Sequence, residues 1–377
     1  MAVLPHALLV SLFILFSLSG CKISEGESFE NRFGVPDSSF IPDYAKGFSI
    51  HYFNHDKVIE ITDPFNNDEQ SSYFLINYDG EPSFENVEII DAPIKSWSAF
   101  SSTQVVMAEK LELISTLTSV AEPQYISGEE VNRRLESGDI RDVGMAFSPD
   151  IEVLLLTEPQ FVFVSPFKDT QYDNLKDAGL TVIPDAGYLE SNPLGRVEWL
   201  VFFGAFFDKE QKALDIYNSV KSQYQKMTLL TQGIQRKPTV TAGLLYQDVW
   251  YLPAGDSFMA RLLEDAGVSY PYYSTKGTGS LAYDYEKVFN DTYDCQFWIV
   301  TVNHPGEFNY KALKGMDERY SDFYAYKNRN IIYTNTDYSG FFEYGWLQPH
   351  IVLMDFIKIF HPDLLPDHKL KYYRMLP

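Results

Sequence analysis

The feature that most constrains the fold lies near the middle of the chain. Between Asp208 and Leu230 the apolar residues Ala213, Tyr217, Val220, Tyr224 and Met227 recur at spacings of four, three, four and three. That is the period of a single stripe along one continuous α-helix. At ~1.5 Å per residue such a helix is ~35 Å long. Asp208, with Gln211 three residues on, reads as a capping box at its start. Asn192-Pro193 opens a preceding helix that runs through Phe207. A stiff rod in this position is a strut between two bodies, unlike a hinge of two or three extended strands.

The segments on either side supply the two bodies. Gly47–Tyr52 and Val58–Ile61 alternate apolar and polar residues, Tyr73–Ile76 follows, and the three suit a β-meander. Strands then alternate with helices. Trp97–Ser101, Phe161–Val164 and Thr181–Pro184 read as strands, with helical spacing at Val105–Thr116 and at Tyr172–Ala178, the latter stopped by Gly179. Beyond the rod the order repeats: Thr239–Leu245 as a strand, Phe258–Ala266 as a helix ended by Gly267, then Phe297–Val302 and Asn330–Thr334 as strands. Such alternation predicts largely parallel sheets covered on both faces. Two anchors align the halves. Asp150-Ile151-Glu152 precedes Phe161–Val164 as Asp284-Tyr285-Glu286 precedes Phe297–Val302. In each, the Asp caps a helix and the Glu falls in its first turn.

The N-terminus is built differently. Ala7–Leu18 is an apolar run too short to span a bilayer, which needs ~20 residues, and it suits the core of a secretory signal. Leu18-Ser19-Gly20-Cys21 follows and resembles a bacterial lipobox, in which the cysteine is lipidated, although no Lys or Arg precedes the run. A signal-anchor or an ordinary signal peptide is the alternative. Lys22 to Ser39 is polar and reads as a tether. The expected boundaries are a signal over residues 1–20, a tether over 21–45, a first lobe over 46–191, a helical linker over 192–235 and a second lobe over 236–377.

Composition excludes several functions. A net charge of −22 argues against nucleic-acid binding. With Cys21 carrying lipid, Cys295 has no disulfide partner, and two cysteines cannot build a cysteine zinc or iron–sulfur site. No G-x-S-x-G elbow, P-loop, strand-following G-x-G-x-x-G or H-E-x-x-H occurs. We expect no enzyme, no cofactor and no dedicated metal site, although distant glycosidase carboxylates leave no such signature.

Several segments, in order along the chain, resemble the cobalamin, siderophore and haem class of ABC-importer substrate-binding proteins. They are Ser98–Thr103, Asp150–Leu154 with Glu158–Val162, Pro193–Trp199, Gly255–Phe258 through Leu262–Gly267, and His361–Leu364. The family's Lys-Pro-Asp element stands here as Glu158-Pro159-Gln160 and Tyr293-Asp294-Cys295. The likeness spans roughly residues 40–365. It implies an α/β fold of two Rossmann-like lobes with mainly parallel sheets, joined by one long rigid helix. It implies an exported, lipid-anchored monomer in the periplasm or at the cell surface, partnered by an ABC permease and ATPase. The ligand implied is a ferric siderophore, cobalamin or haem. By position, Glu152 and Glu286 match the family's permease-docking acids, with Glu198 a rival on the first lobe.

Open α/β sheets bind ligands beyond the carboxyl ends of their strands. The residues placed there by the strand assignments are Ser101, Ser102, Tyr125, Phe167 and Tyr188 in the first lobe, and Tyr246, Trp250, Asn303 and Tyr338 in the second. The aromatics among them, Trp250 foremost, suit stacking on a flat, partly apolar ligand. His304 is the best-placed histidine for ligating iron. A surface lipoprotein that captures a glycan or haem without an ABC partner is the second reading.

Overall fold

The computed structural model describes residues 29–54, 56–65, 71–78, 84, 87–168 and 172–377. The signal segment and Cys21 lie outside them. Contacts divide the chain into Met1–Val35, which carries the short helix α1 (Phe29–Phe33), and one body, Pro36–Pro377.

The body opens with a five-stranded sheet in the order β1-β2-β3-β4-β5: β1 (Ser38–Phe40), β2 (Phe48–Phe53), β3 (Asp56–Thr62), β4 (Ser71–Asn77) and β5 (Glu88–Asp91). Its strands β2, β3 and β4 are the expected meander, and β1 adds a further antiparallel strand to it. Residues 38–45, expected in the tether, belong to this body instead. β1 pairs with β2, and Ala45 is buried.

The first parallel sheet has the order β12-β11-β6-β7-β8. In chain order its pieces are β6 (Trp97–Ala99), α2 (Ser102–Leu111), β7 (Leu117–Val120), α3 (Glu129–Ser137) and β8 (Arg141–Asp142). A small hairpin follows, β9 (Gly144–Met145) and β10 (Ser148–Pro149), then α4 (Ile151–Leu156), β11 (Phe161–Val164), α5 (Asp173–Asp177) and β12 (Val182–Pro184). The chain builds outward from β6 to β8, then returns to β6's other edge for β11 and β12. The strand order therefore reverses between β6 and β11.

Helix α6 (Pro193–Ala205) buries twelve of its thirteen residues, as a helix apolar on all sides must. It is packed between the two sheets. Phe202 and Phe203 meet Phe163 of β11, while Trp199 and Phe202 meet Phe48 of β2. α7 (Glu210–Thr231) follows as a continuous 22-residue helix, ~33 Å long. The two run close together at their joint, where a Cβ on Gly204 would stand 3.1 Å from the Lys209 carbonyl. Asp208 does not cap α7. It sits at φ +55 and takes a hydrogen bond from Lys57 of β3, whose ammonium also reaches the Ala205 carbonyl and Glu210. The corner leaves helical carbonyls and a charged turn together, and a buried lysine satisfies both better than a capping box can.

The second lobe carries the sheet β13-β17-β18-β19, parallel except for its last strand. β13 (Val240–Ala242) and β14 (Leu244–Tyr246) are split at Gly243 (φ +86), where a side chain would meet the Tyr251 carbonyl at 1.8 Å. The break sends β14 into a separate antiparallel sheet with β15 (Val249–Pro253) and β16 (Ser280–Tyr283). The remaining elements are α8 (Phe258–Asp265), α9 (Tyr285–Thr292), β17 (Phe297–Val302), α10 (Tyr310–Met316), α11 (Tyr324–Lys327), β18 (Ile331–Asn335), α12 (Thr336–Ser339), α13 (Pro349–Phe360) and β19 (Arg374–Met375).

α7 is fixed to both lobes by its own stripe. Tyr217 donates to Glu198 of α6 at 2.8 Å, and one helical turn pair further on Tyr224 donates to Asp265 of α8 at 2.6 Å. Glu198 is fully buried and also accepts the backbone N–H groups of Asp43, Tyr44 and Ala45. Burial raises its pKa, and those donors oppose the rise. A buried carboxylate that satisfies this many donors is costly to remove, because each stranded group keeps its desolvation penalty. Glu198→Ala is therefore expected to lower stability by ~3 kcal/mol or more, and Tyr224→Phe by ~1 kcal/mol, both measured by urea denaturation.

Candidate functional site

The carboxyl ends of the two parallel sheets meet at one cleft. It holds three adjoining cavities of about 500, 610 and 1110 Å³, in the range of small-molecule sites. The largest is lined from the first lobe by Ser101 after β6, Ala121 after β7 and Ser165 after β11, and from the second by Asn303 after β17 and Thr336 after β18. β6 and β11 flank the reversal in strand order, the place where open α/β sheets leave a crevice.

Six of the nine residues expected at the site line this largest cavity: Ser101, Ser102, Tyr125, Phe167, Asn303 and Tyr338. Tyr188 lines the 500 Å³ cavity, and Tyr246 lines the 610 Å³ cavity together with Asn303 and His304. Three of these have committed polar groups, Tyr188 through its hydroxyl on the Pro166 carbonyl. The Ser101 hydroxyl caps α2 by accepting the Thr103 N–H, with Gln104 reaching back to the Phe100 and Ser101 amides. The Asn303 amide donates to Asp337 and Thr336.

Trp250 does not face the cleft. It is wholly buried on β15, its indole N–H bonded to the Ala242 carbonyl and its ring 5.5 Å from Trp298. Strand alternation decides this: Tyr251, the next residue, takes the opposite face and lines the 610 Å³ cavity. Glu198, the first-lobe rival for docking, is buried against α7 and has no exposed oxygen to offer.

The 500 Å³ cavity has a polar floor that the strand-end argument did not single out. Arg196 is the one residue of α6 that is only partly buried. Its Nε and Nη2 donate to the carbonyls of Glu190 and Tyr188, and its guanidinium lies 4.3 Å from the ring of Phe258 in α8. Burial lowers its pKa to about 10, with Glu190 opposing. Asp185, after β12, is buried in the wall of the same cavity and accepts the Gly187 N–H and a Gln104 amide N–H. Burial raises its pKa to about 6, against those two hydrogen bonds. A signal for Arg196 existed: it is one of two charges within the apolar run Pro193–Phe207. Among the described residues no group of three His, Cys, Asp or Glu side chains is placed to hold a metal ion.

The sequence profile described as "Periplasmic binding protein" matches residues 99–338. The chain belongs to that family. An uncharacterised lipoprotein of Methanocaldococcus jannaschii, MJ0878, is 25% identical, with 97% of this chain and 94% of that one aligned. Among solved structures, an ABC transporter substrate-binding protein from Listeria monocytogenes EGD-e superposes with a TM-score of 0.55 at 16% identity, over 72% of this chain and all of that one. The periplasmic haem-binding protein HutB of Vibrio cholerae gives 0.52 at 16% identity, over 64% and 90%. The two-lobed α/β fold is therefore that of this family of binding proteins. The meander β1–β5, α13 and the C-terminal tail lie outside the profile's range.

In this binding protein Asp185 ties stability to pH. An ordinary aspartate titrates near 3.8, so between that pH and about 6 the unfolded chain ionises while the folded one keeps its proton. Stability falls across that window as pH rises, by ~3 kcal/mol at most, and the cost is constant above it. Asp185→Asn is expected to raise the melting temperature at pH 7 and to leave it unchanged at pH 3.5, a contrast that thermal denaturation at the two pH values reads directly.

Proposed function

We propose that the protein is the substrate-binding component of an ABC importer. It captures a metal chelate or tetrapyrrole, such as a ferric siderophore, cobalamin or haem, in the interlobe cleft and docks on a permease through Glu152 and Glu286. Cys21 would carry the lipid that holds it to a membrane on the periplasmic side. The name of the M. jannaschii relative, a lipoprotein, supports the anchor. No helix among the described residues is long and apolar enough to cross a membrane.

The observation that carries this reading is the matched pair of acidic helix starts, one per lobe. Asp150 caps α4 by accepting the Val153 N–H at 3.0 Å, and Asp284 caps α9 by accepting the Lys287 N–H at 2.7 Å. Glu152 and Glu286 stand in the first turns of these helices, and both are exposed. A helix start tolerates one carboxylate readily, and the Asp already fills that role. The second carboxylate is free to face outward on a backbone that the cap holds still. Such a group is a preorganised acceptor for a guanidinium fork, and two of them on separate lobes fix both orientation and register.

The double variant Glu152→Ala, Glu286→Ala is expected to bind ligand with unchanged affinity and to abolish uptake in cells that express the transporter. Loss of affinity, or unimpaired uptake, would overturn the docking role. The rod, pinned to both lobes, is also expected to limit closure. X-ray scattering with and without ligand should show little change in radius of gyration, and a large compaction would contradict it.

A further inference from the structure

The segment between β18 and α13 crosses from the second lobe to the first. It consists of α12, Gly340 in the left-handed region and one turn of π-helix, Phe341–Gly345. Isolated π-turns concentrate at functional sites, because they displace side chains from helical register. Here the displaced side chains divide into two sets. Glu343 and Tyr344 reach the first lobe. Glu343 is buried, and its two oxygens accept the Ser127 N–H at 2.7 Å and the Ser127 hydroxyl at 2.5 Å. Tyr344 donates to Glu109 of α2 at 2.9 Å, and Lys110 lies over its ring. Phe341 turns inward and packs on Tyr372 and Tyr373.

Phe342 is left pointing into the cleft. It is 63% exposed, although both its chain neighbours are buried or bonded. Among the described residues it alone lines all three cavities. The first-lobe wall of those cavities carries a row of aromatics. Phe147 and Phe167 line the largest cavity and lie 4.9 Å apart, and Tyr188 of the 500 Å³ cavity lies 5.5 Å from Phe167. Tyr188 is itself held by a hydrogen bond to the Pro166 carbonyl. Exposed aromatic faces on both walls of one cleft are costly in water and are repaid by a ligand that covers both.

Resting on the import reading, we propose that the segment 336–346 is a strap that fixes the width of the cleft and presents Phe342 as a partition, so that the ligand accepted has a flat conjugated face able to lie between Phe342 and the Phe147–Phe167–Tyr188 row. Phe342 would contact the ligand directly. Glu343 and Tyr344 are positioning residues that act through it. Phe342 and the two bonded residues after it lie beyond residue 338, where the family profile ends.

Two probes of similar bulk and different shape test the proposal: protoporphyrin IX, which is flat, and ferrioxamine B, a rounded aliphatic ferric hydroxamate. Binding is read by quenching of tryptophan fluorescence. The wild type is expected to prefer the porphyrin. Phe342→Ala is expected to weaken porphyrin binding tenfold or more and to leave the hydroxamate unaffected or improved. Phe342→Tyr, which keeps a ring, should restore the preference. Tyr344→Phe, which keeps the ring over which Lys110 lies but loses the bond to Glu109, should reduce the porphyrin-to-hydroxamate ratio and accelerate amide exchange across residues 341–345, while the melting temperature stays near that of the wild type. An unchanged ratio in Phe342→Ala overturns the proposal, as does a wild type that binds only the hydroxamate or neither probe. The uptake test of the Glu152 and Glu286 variants is independent of probe shape, so failure of the strap and failure of the import reading are told apart.

Discussion

Two lobes can be held at a set distance by one helix only if the helix cannot slide or tilt on either. The interaction that secures this is the pairing of one buried and one partly buried carboxylate with the phenols of α7. Tyr217 is bound to Glu198 and Tyr224 to Asp265, two residues of a single stripe tied to two different bodies. Because the stripe is helical, the spacing of seven residues fixes ~10 Å along the axis and nearly the same azimuth. Glu198 adds a further constraint by gathering the amides of residues 43–45, which ties the chain's entry into the body to the same point. The C-terminus repeats the device. Asp355, buried on α13, accepts the amides of Lys371, Tyr372 and Tyr373 and holds the tail against the second lobe. Both ends of the body are thus anchored by helical carboxylates, on the two helices against which α7 packs.

This arrangement explains which parts of the fold were legible in the sequence. The rod was visible because a helix that buries one face writes its period into the chain, and the five residues that period selects, Ala213, Tyr217, Val220, Tyr224 and Met227, are all buried, with Thr231 added at the helix end. Phe161–Val164 and Phe297–Val302 were visible with the bounds observed, since a strand covered on both faces is a near-continuous apolar run, broken in the second only at the exposed Thr301. What local pattern could not carry was partnership over long separations. Asp208 followed by Gln211 has the form of a capping box, yet Lys57, about 150 positions away, claims the carboxylate. Residues 38–45 continue from the polar stretch Lys22–Ser39 and read as the end of its tether, yet the backbone amides of residues 43–45 are what Glu198 needs. A segment whose main chain is its contribution leaves no trace in side-chain pattern.

The site shows the same division. Strand ends locate the cleft, and most of the residues chosen on that ground line it. Trp250 fails for a reason of parity, since neighbouring residues on a strand face opposite ways, and Tyr251 rather than Trp250 is the exposed ring at the cavity. Arg196 and Phe342 were harder for opposite reasons. Arg196 is a charge in an apolar helix, which marks it as special without saying what it faces. Phe342 lies in a chain with 28 phenylalanines and is singled out by a π-turn, a backbone feature that residue type does not announce.

The second crossing by the strap changes what the rod alone would imply. A single strut fixes separation but leaves twist about its own axis as the softest motion. Bonds from Glu343 and Tyr344 to Ser127 and Glu109 lie away from that axis, on the cleft side, and so oppose the twist directly. A cleft constrained in both senses loses little conformational entropy when it fills, which favours affinity through preorganisation. The same constraint works against release, because no spontaneous opening of comparable ease remains. On the import reading the work of release then falls to the partner. It must pull on surfaces that move as rigid units with each lobe, and the capped starts of α4 and α9 are such surfaces: short, fixed by Asp150 and Asp284, and carrying an outward carboxylate each. On that reading, tight capture and forced delivery follow from one arrangement, in which the lobes are joined by α7 and again by the segment 336–346 at the cleft.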